Sequence, residues 1–484
     1  MIAAERQLYR LGEFHPFSAG GRQFLYLVPA GAIFELDDGV QKVIGALRGR
    51  EQGHASHDEL TAALTAQGFS AEDARELIEE LHQSRVIVAG DLPLEPQEVP
   101  EDFPLQTLVL NLTNQCNLSC QYCYEFGADK VATPDGKPKF MNFETARASI
   151  DFLLQQSAGR RGVHVTFFGG ETLMNFPLLQ KVVAYANERA KEQGRSIDFS
   201  LTTNATLLTP AIIEFLSDNR IGVTVSMDGP AELHDKLRVF ANGAGSYDVI
   251  EPRVRALIQN HKTRPITARV TLTSGVSDVV RIFRHLKDDL GFHEVGFAPV
   301  TTSPNRLYAI NERGMDGVLE QFHVLADEYL QYALRGEMHG FSNVSDTLSE
   351  LYQGVNKSHP CGAALGLVGV GPSGDIAPCH RFVDSDTHAM GHISSGIDRK
   401  KQKDFLQRGH INSKYDCHTC WARPLCAGGC HHEAYVRYGD SGHPNLHYCD
   451  WIRDWTDTCL RIYGKISIHN PAFLRIFAER KALS

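Results

Sequence analysis

Ten of the eleven cysteines in this 484-residue sequence fall into two groups with short, regular spacings. The first is Cys116-x3-Cys120-x2-Cys123. The second begins with Cys361 and Cys379. It continues as Cys417-x2-Cys420-x5-Cys426-x3-Cys430 and closes at Cys449. Thiolates are the ligands that soft iron and zinc prefer, so the spacing points to metal rather than chance. Three close thiolates can hold three irons of a cubane cluster and leave the fourth iron open to a small chelating molecule. The competing readings of the first group are a zinc site short of one ligand, or simple packing. The second group reads equally as two zinc sites or as two clusters. Cys459, outside both groups, reads as a buried thiol.

Composition narrows the setting. Hydrophobic residues make up 42% and charged residues 22%, which is ordinary for a globular protein. No apolar run approaches the ~18 residues of a membrane span. The N-terminus lacks the pattern of a signal peptide, so a cytoplasmic location is the default expectation. The cytosol keeps thiols reduced, which makes a disulfide framework the poorer reading of the cysteines. The formal charge of −10 argues against a nucleic-acid binder.

The elements that must position the cysteines follow. Residues 1–90 read as a small winged-helix-like unit. Arg22–Pro29 and Ala32–Leu36 form a strand pair. Helices follow over Asp37–Leu47, over His57–Ala66 and after the N-cap Ser70, and Arg85–Ala89 returns as a strand. Between Glu51 and Arg85 acids far outnumber bases, which disfavours DNA reading. Residues 91–104, with four prolines, read as a linker. From 105 to 310 strands and helices alternate. The strands are Thr107–Leu112, Val163–Phe168, Ile197–Thr202, Gly222–Ser226, Ile266–Leu272 and His293–Ala298. Helices include Phe143–Gln156, Leu178–Lys191, Pro210–Asp218, Val249–His261 and Val279–Leu290. Alternation of this kind means βα units and a parallel sheet. The fold class is therefore α/β, a partial (β/α)6 barrel. Residues 311–360 form a helical bridge, 361–460 a cysteine-rich domain that needs metal in place of a core, and 461–484 a tail with a short helix. Cys116 lies just past the C-terminal end of the first barrel strand, where barrel enzymes keep their active sites.

With Tyr122 before its last cysteine, C-x3-C-x2-C resembles the signature of the radical S-adenosylmethionine (SAM) superfamily. Three further motifs follow successive strands. Gly169-Gly170-Glu171 resembles the family's GGE, which holds the amino group of SAM. Thr202-Thr203-Asn204-Ala205-Thr206 is similar to its TNGT. Ser226-Met-Asp228-Gly-Pro, with His234, Asp235 and Arg238, resembles residues that contact the methionyl carboxylate and ribose. Thr172 stands where Pro is usual and Ala205 where Gly is usual. The resemblance implies SAM on the open iron and a 5′-deoxyadenosyl radical that abstracts hydrogen from an unactivated carbon, an oxidoreductase chemistry. Tyr122, Gly169, Gly170, Glu171, Thr203, Asn204, Ser226, Asp228 and Arg238 are its expected cofactor contacts.

The C-terminal string resembles the SPASM domain of peptide-modifying radical SAM enzymes. That resemblance implies two auxiliary 4Fe–4S clusters, three in all. Cys361, Cys379 and Cys430 would hold one, and Cys417, Cys420, Cys426 and Cys449 the other. The fourth ligand of the first is open, with His380 and Cys459 as candidates. Asp384 and Glu433 are candidate catalytic bases. The N-terminal unit resembles leader-recognition domains that bind a precursor by strand addition. The run His15–Pro29, with the motifs above, is most similar to the maturation family of quinohemoprotein amine dehydrogenase. That family forms Cys-to-Asp or Cys-to-Glu thioethers in a small subunit. The expected partners are thus a small protein or peptide and an electron donor such as flavodoxin or ferredoxin, with no nucleic acid or membrane. An anaerobic sulfatase-maturing enzyme, which makes formylglycine, is the alternative. A redox-sensing winged-helix regulator would lack SAM contacts.

Overall fold

The structure is a computed structural model that describes residues 8–50, 52–90, 103–133 and 135–478. Most of the 91–104 linker, and Arg480 and Lys481 of the tail, lie outside the described residues.

The N-terminal region contains two antiparallel sheets. Strand β1 (Leu8–Leu11) joins a three-stranded sheet described below. Strands β2 (Phe14–Ala19), β3 (Arg22–Leu27) and β4 (Ala32–Glu35) form the other sheet in that order. In the first sheet β1 lies between β5 (His54–Ser56) and β6 (Ile87–Ala89). Helices Asp38–Arg48, His57–Thr65 and Ala71–Gln83 share a core with it that includes Val43, Leu47, Leu60 and Ile78. Each helix starts at a side-chain cap, Asp37, Ser56 and Ser70, which satisfies amides left free in the first turn. The strand pair expected next to these helices therefore belongs to a separate sheet, and β1, β2 and β5 escaped the sequence reading. The reason lies in β3. Alternate side chains of a strand point to opposite faces. Leu25 and Leu27 enter the N-terminal core, while Phe24 and Tyr26 enter the main core with Phe17 and Ala19 of β2. A strand buried on both faces shows no period-2 pattern to read.

Six strands, β7 (Thr107–Asn111), β8 (Gly162–Phe168), β9 (Ser196–Thr203), β10 (Gly222–Ser226), β11 (Ile266–Leu272) and β12 (Glu294–Pro299), lie side by side and parallel in chain order. Val165, Phe167, Leu201, Val223, Val225 and Val270 are buried in the main hydrophobic core. Their neighbours Thr202, Thr224, Ser226, Thr267 and Thr271 line a cavity instead. The curled sheet thus has an apolar outside and a polar inside. The helix from Val279 ends as α-helix at Arg284 and continues as a wider π-turn over His285–Asp289.

Two features of the C-terminal third differ from expectation. β13 (Leu367–Val370) extends the barrel sheet by pairing parallel to β7, and β14 (Ile376–Ala377) returns antiparallel to it. The cysteine-rich domain therefore begins as part of the barrel. Helix Cys449–His469 also runs straight through the boundary expected at residue 460. Its Trp455, Leu460 and Ile466 share the core of helices Glu312–Leu334 and Ser342–Tyr352. The bridge, this helix and β2 thus form one packed layer. Among the described residues no helix is long and apolar enough to cross a membrane.

Candidate active site

The three-cysteine loop leaves the end of β7 and is clamped by the two glycines that follow β8. Gly170 donates its N–H to Thr113 O at 3.1 Å, and Glu171 donates to Gln115 O at 2.9 Å. A Cβ on Gly169 would lie 2.3 Å from Thr113 O, and one on Gly170 2.3 Å from Gln115 O. Only glycine permits this approach. The pair seats the backbone that leads into Cys116.

Glu171 is 1% exposed, and its carboxylate is engaged by the protein itself. Oε1 accepts from Leu173 N at 3.0 Å and Thr203 Oγ1 at 2.7 Å, and Oε2 accepts from Asn204 N at 2.7 Å. The sequence suggested that this carboxylate faces an ammonium; in the structure it ties the end of β9 to the GGE turn. Burial raises its pKa, and these hydrogen bonds oppose the rise. Asn204 reaches the first loop, donating to Asn117 Oδ1 at 3.0 Å and approaching Cys116 Sγ at 3.8 Å. Ala205 adopts φ +63°, so the backbone keeps the left-handed conformation despite its methyl group. Thr172 donates to Thr202 O at 2.9 Å, a bond that proline in its place would lack.

Tyr122, Asp228 and Arg238 form a linked trio beside Cys120. The Tyr122 hydroxyl donates to Asp228 Oδ2 and accepts from Arg238 Nη1 at 2.6 Å, while Thr271 N donates to Asp228 Oδ1 at 2.9 Å. Burial raises the Tyr122 pKa well above its ordinary value, against the nearby Arg238 charge. His234 accepts from Asp228 N at 3.2 Å and sits 2.9 Å from Ser246 Oγ, and Asp235 accepts from Ser246 N and Tyr247 N. Asp228, His234 and Asp235 therefore support the floor; Tyr122, Arg238, Gly169, Gly170, Glu171, Thr203, Asn204 and Ser226 line the cavity above.

The thiols gather into three sets. Cys116 is pushed up to about 12, first by burial and also by Cys120 and Cys123. Cys379 is pushed up to about 12 by burial, then by Cys430 and Cys361. Cys417 is pushed up to about 11 by burial, with Cys426, Cys420 and Cys449 adding and Lys414 opposing. Sulfurs that destabilise one another's charge this way form a donor set that cations would relieve. Among the described residues no three His, Cys, Asp or Glu side chains converge on one point as a single ion would require. The donor chemistry of the first loop fits a cluster, and the C-terminal sets offer the same thiolate donors.

A cavity of about 690 Å³ extends from Cys116, Cys120 and Cys123 across the barrel mouth to His380 and Arg381, next to Cys379. Neither candidate base opens into it. The Asp384 carbonyl accepts from Thr133 N and Lys137 Nζ, and its side chain borders a small separate pocket. Glu433 is paired with His447 and Arg437. Glu125 does line the cavity, and among the described residues its buried Oε1 has no hydrogen-bond partner. Burial, with the Asp384 charge adding and Arg381 opposing, pushes it up to about 8. Its place two residues past Cys123 was the available signal. Arg381 was also missed; its guanidinium lies 4.6 Å from the Tyr124 ring centre. His380 lines the cavity 4.5 Å from Phe168. Cys459 lies in the apolar core, fully buried, and is removed as a ligand candidate.

Residues 110–305 match the Radical SAM superfamily. The barrel is thus a radical SAM domain, and the chemistry it carries is that of an enzyme. The chain's relatives include the serine-type anaerobic sulfatase-maturating enzyme of Bacteroides thetaiotaomicron, 26% identical over 71% of this chain and 86% of that protein. A shorter match, 37% identical, covers 29% of this chain and 45% of an uncharacterized protein of Methanocaldococcus jannaschii. The fold resembles that of anSMEcpe with bound AdoMet, at TM-score 0.64 and 20% identity over 75% of this chain and 99% of that one. It also resembles SuiB of Streptococcus suis bound to precursor peptide SuiA, at TM-score 0.51 and 16% identity over 92% of this chain and 99% of that one.

Proposed function

We propose that this radical SAM enzyme matures a small protein or peptide by joining Cys sulfur to side-chain carbons of Asp or Glu. The observation that carries the reading is the single cavity bordered by the first cysteine loop at one end and the Cys379 segment at the other. A substrate there would sit between the source of the radical and an electron acceptor. In this reading Cys116, Cys120 and Cys123 hold the SAM-binding cluster. Cys361, Cys379 and Cys430 hold one auxiliary cluster, and Cys417, Cys420, Cys426 and Cys449 the other.

When bound, the clusters and SAM supply removal of one hydrogen atom and acceptance of one electron. The chain supplies the rest. Glu171 and Asn204 fix the loop that carries Cys116. Tyr122 and Arg238 present polar groups toward SAM. Glu125 takes the thiol proton, since it is the carboxylate beside Cys123 that borders the cavity with an oxygen free among the described residues. Joining a thiol to a carbon removes two hydrogens, so hydrogen atom, proton and electron balance.

The N-terminal unit serves as the leader-binding domain. SuiB, solved with its precursor peptide, aligns with 92% of this chain against 75% for anSMEcpe, which supports that assignment. A flavodoxin or ferredoxin would deliver the electrons. The similarity to sulfatase-maturating enzymes supports a second reading, oxidation of one Cys or Ser to formylglycine.

Mass spectrometry of co-expressed substrate separates the two. A thioether lowers the mass by about two hydrogens per link and survives thiol reductants. A Cys-derived aldehyde would replace this reading with the second. Removing the leader from the substrate should weaken modification while SAM cleavage continues, since positioning and not the radical step is lost.

A further inference from the structure

Lys414 is 2% exposed, and its side chain packs against the Ala427–Gly428 turn that joins the two C-terminal thiol sets. It is within electrostatic reach of Cys417 and Cys426 in one set and of Cys361 and Cys430 in the other. Its ammonium donates to Ala427 O, a neutral acceptor, at 3.1 Å. A cation buried with one neutral acceptor is unfavourable unless negative charge lies close by.

The chain is shaped around this ammonium. Ala427, Gly428 and Gly429 connect Cys426 of one set to Cys430 of the other, with φ of +47°, +83° and +82°. Glycine adopts these angles freely, so the steric cost of the turn falls on Ala427. A Cβ on Gly428 would lie 2.6 Å from Lys414 Cδ and 2.7 Å from its Nζ. Asn445 holds the turn from outside, donating N–H to Gly428 O at 2.9 Å and Nδ2 to Cys430 O at 3.1 Å. The missing Cβ of Gly428 makes room for one charge.

We propose that Lys414 is a counter-charge shared by the two auxiliary clusters, raising the reduction potential of both. This rests on the reading that both thiol sets hold clusters. Each one-electron reduction adds a negative charge to a cluster, and a fixed ammonium beside both stabilises the reduced form of each. Lys414 is a positioning residue: it touches no substrate and acts through the clusters.

The test is a redox titration of reconstituted holoenzyme followed by electron paramagnetic resonance, after iron counting. In K414M both auxiliary potentials should fall by at least about 59 mV, a tenfold change in the ratio of reduced to oxidised cluster for a one-electron couple. The cluster of Cys116, Cys120 and Cys123 should not move. K414R keeps the charge and should stay near wild type. If K414M loses auxiliary iron, K414Q takes its place with the same expected fall, because its amide can still bond Ala427 O. Full iron with unmoved potentials, a shift in only one auxiliary cluster, or a K414R shift as large as that of K414M overturns the proposal. Wild-type protein without auxiliary iron overturns the underlying reading, and the iron count shows this before any titration.

Discussion

The three-cysteine loop and the seven-cysteine region place their thiols on different supports. The first loop hangs from β7 and is held by β8 and β9 through Gly169, Gly170, Glu171 and Asn204. Those strands have their own apolar core, including Val165, Phe167 and Leu201. From Cys379 to Cys449 regular structure is short. Small clusters such as Ile411, Cys417 and Ala427 replace a continuous core. Turns there rest on positive φ at Asp384, Ala427, Gly428 and Gly429. One site is preformed by the hydrophobic effect; in the proposed reading the other folds around its clusters.

That contrast breaks first under chelation, where the largest effect is expected. Stripping iron under anaerobic conditions should release amide protection across residues 380–447 while β8 to β11 keep theirs. Hydrogen exchange read by mass spectrometry reports the two regions separately. Uniform loss of protection would show that the barrel, too, depends on metal.

Substitution sharpens the same comparison. Changing Cys116, Cys120 and Cys123 together to Ala should abolish formation of 5′-deoxyadenosine, yet lower barrel stability by only about 1 kcal/mol, within the range of ordinary substitutions. Changing Cys417, Cys420, Cys426 and Cys449 to Ala should do the reverse in part. SAM cleavage continues, while product formation and solubility fall. Equal loss of cleavage in both variants would tie the two regions into one folding unit.

A smaller effect is expected at the seam of the open barrel. Asp129, downstream of the cysteine loop, accepts from Ser303 N and Oγ, from Thr302 Oγ1, and from Arg306 Nε and Nη2 at 3.0 and 2.8 Å. It ties the loop after β7 to the one after β12. Burial pushes its pKa up, but these hydrogen bonds together hold it well below the carboxylate range. The folded pKa lies under the unfolded value, so the stabilisation is present above about pH 4 and fades as pH falls through the folded pKa. D129N should cost about 2 kcal/mol at neutral pH, and the gap from wild type should narrow in acid. A gap that is constant with pH would show that charge plays no part.

What the sequence made legible follows from the same physics. All six barrel strands were readable because β-branched and aromatic residues, mostly alternating with polar ones, fill short segments between turn signals. The two cysteine groups were readable from spacing, whereas the division of the second into two ligand sets came from the family resemblance. Contacts that depend on a partner far along the chain were not. β13 is four residues long and has meaning only beside β7. The sharing of β3 between two cores is invisible in a continuous apolar run. His15 stacks on Trp421 at 3.6 Å and faces Asp457, so the N-terminal hairpin docks against the cysteine-rich domain and the C-terminal helix. Removing residues 1–90 would therefore strip side chains from the main core and cannot isolate recognition. Asp384 and Glu433 looked reactive because they lie near cysteines in sequence, yet backbone turns and ion pairs direct them away from the cavity.

The smallest expected effect concerns Ala205, one of the two departures from the family motif. Its φ of +63° costs an L residue about 1 kcal/mol, which glycine would remove. Glycine would also restore about 0.4–1 kcal/mol of unfolded-chain entropy and delete a fully buried methyl group worth about 0.8 kcal/mol. These terms nearly cancel, so A205G should stay within about 1 kcal/mol of wild type and leave SAM cleavage unchanged. Gly170 on the neighbouring strand end behaves oppositely, because its missing Cβ is excluded by Gln115 O at 2.3 Å and not by local strain. G170A should displace the Cys116 loop and lose the cluster. Thermal melts and iron content of the two variants measured side by side decide the matter. If A205G proves as damaging as G170A, the methyl of Ala205 supports the turn after β9, and the clamp on the cysteine loop extends one strand further than the hydrogen bonds indicate.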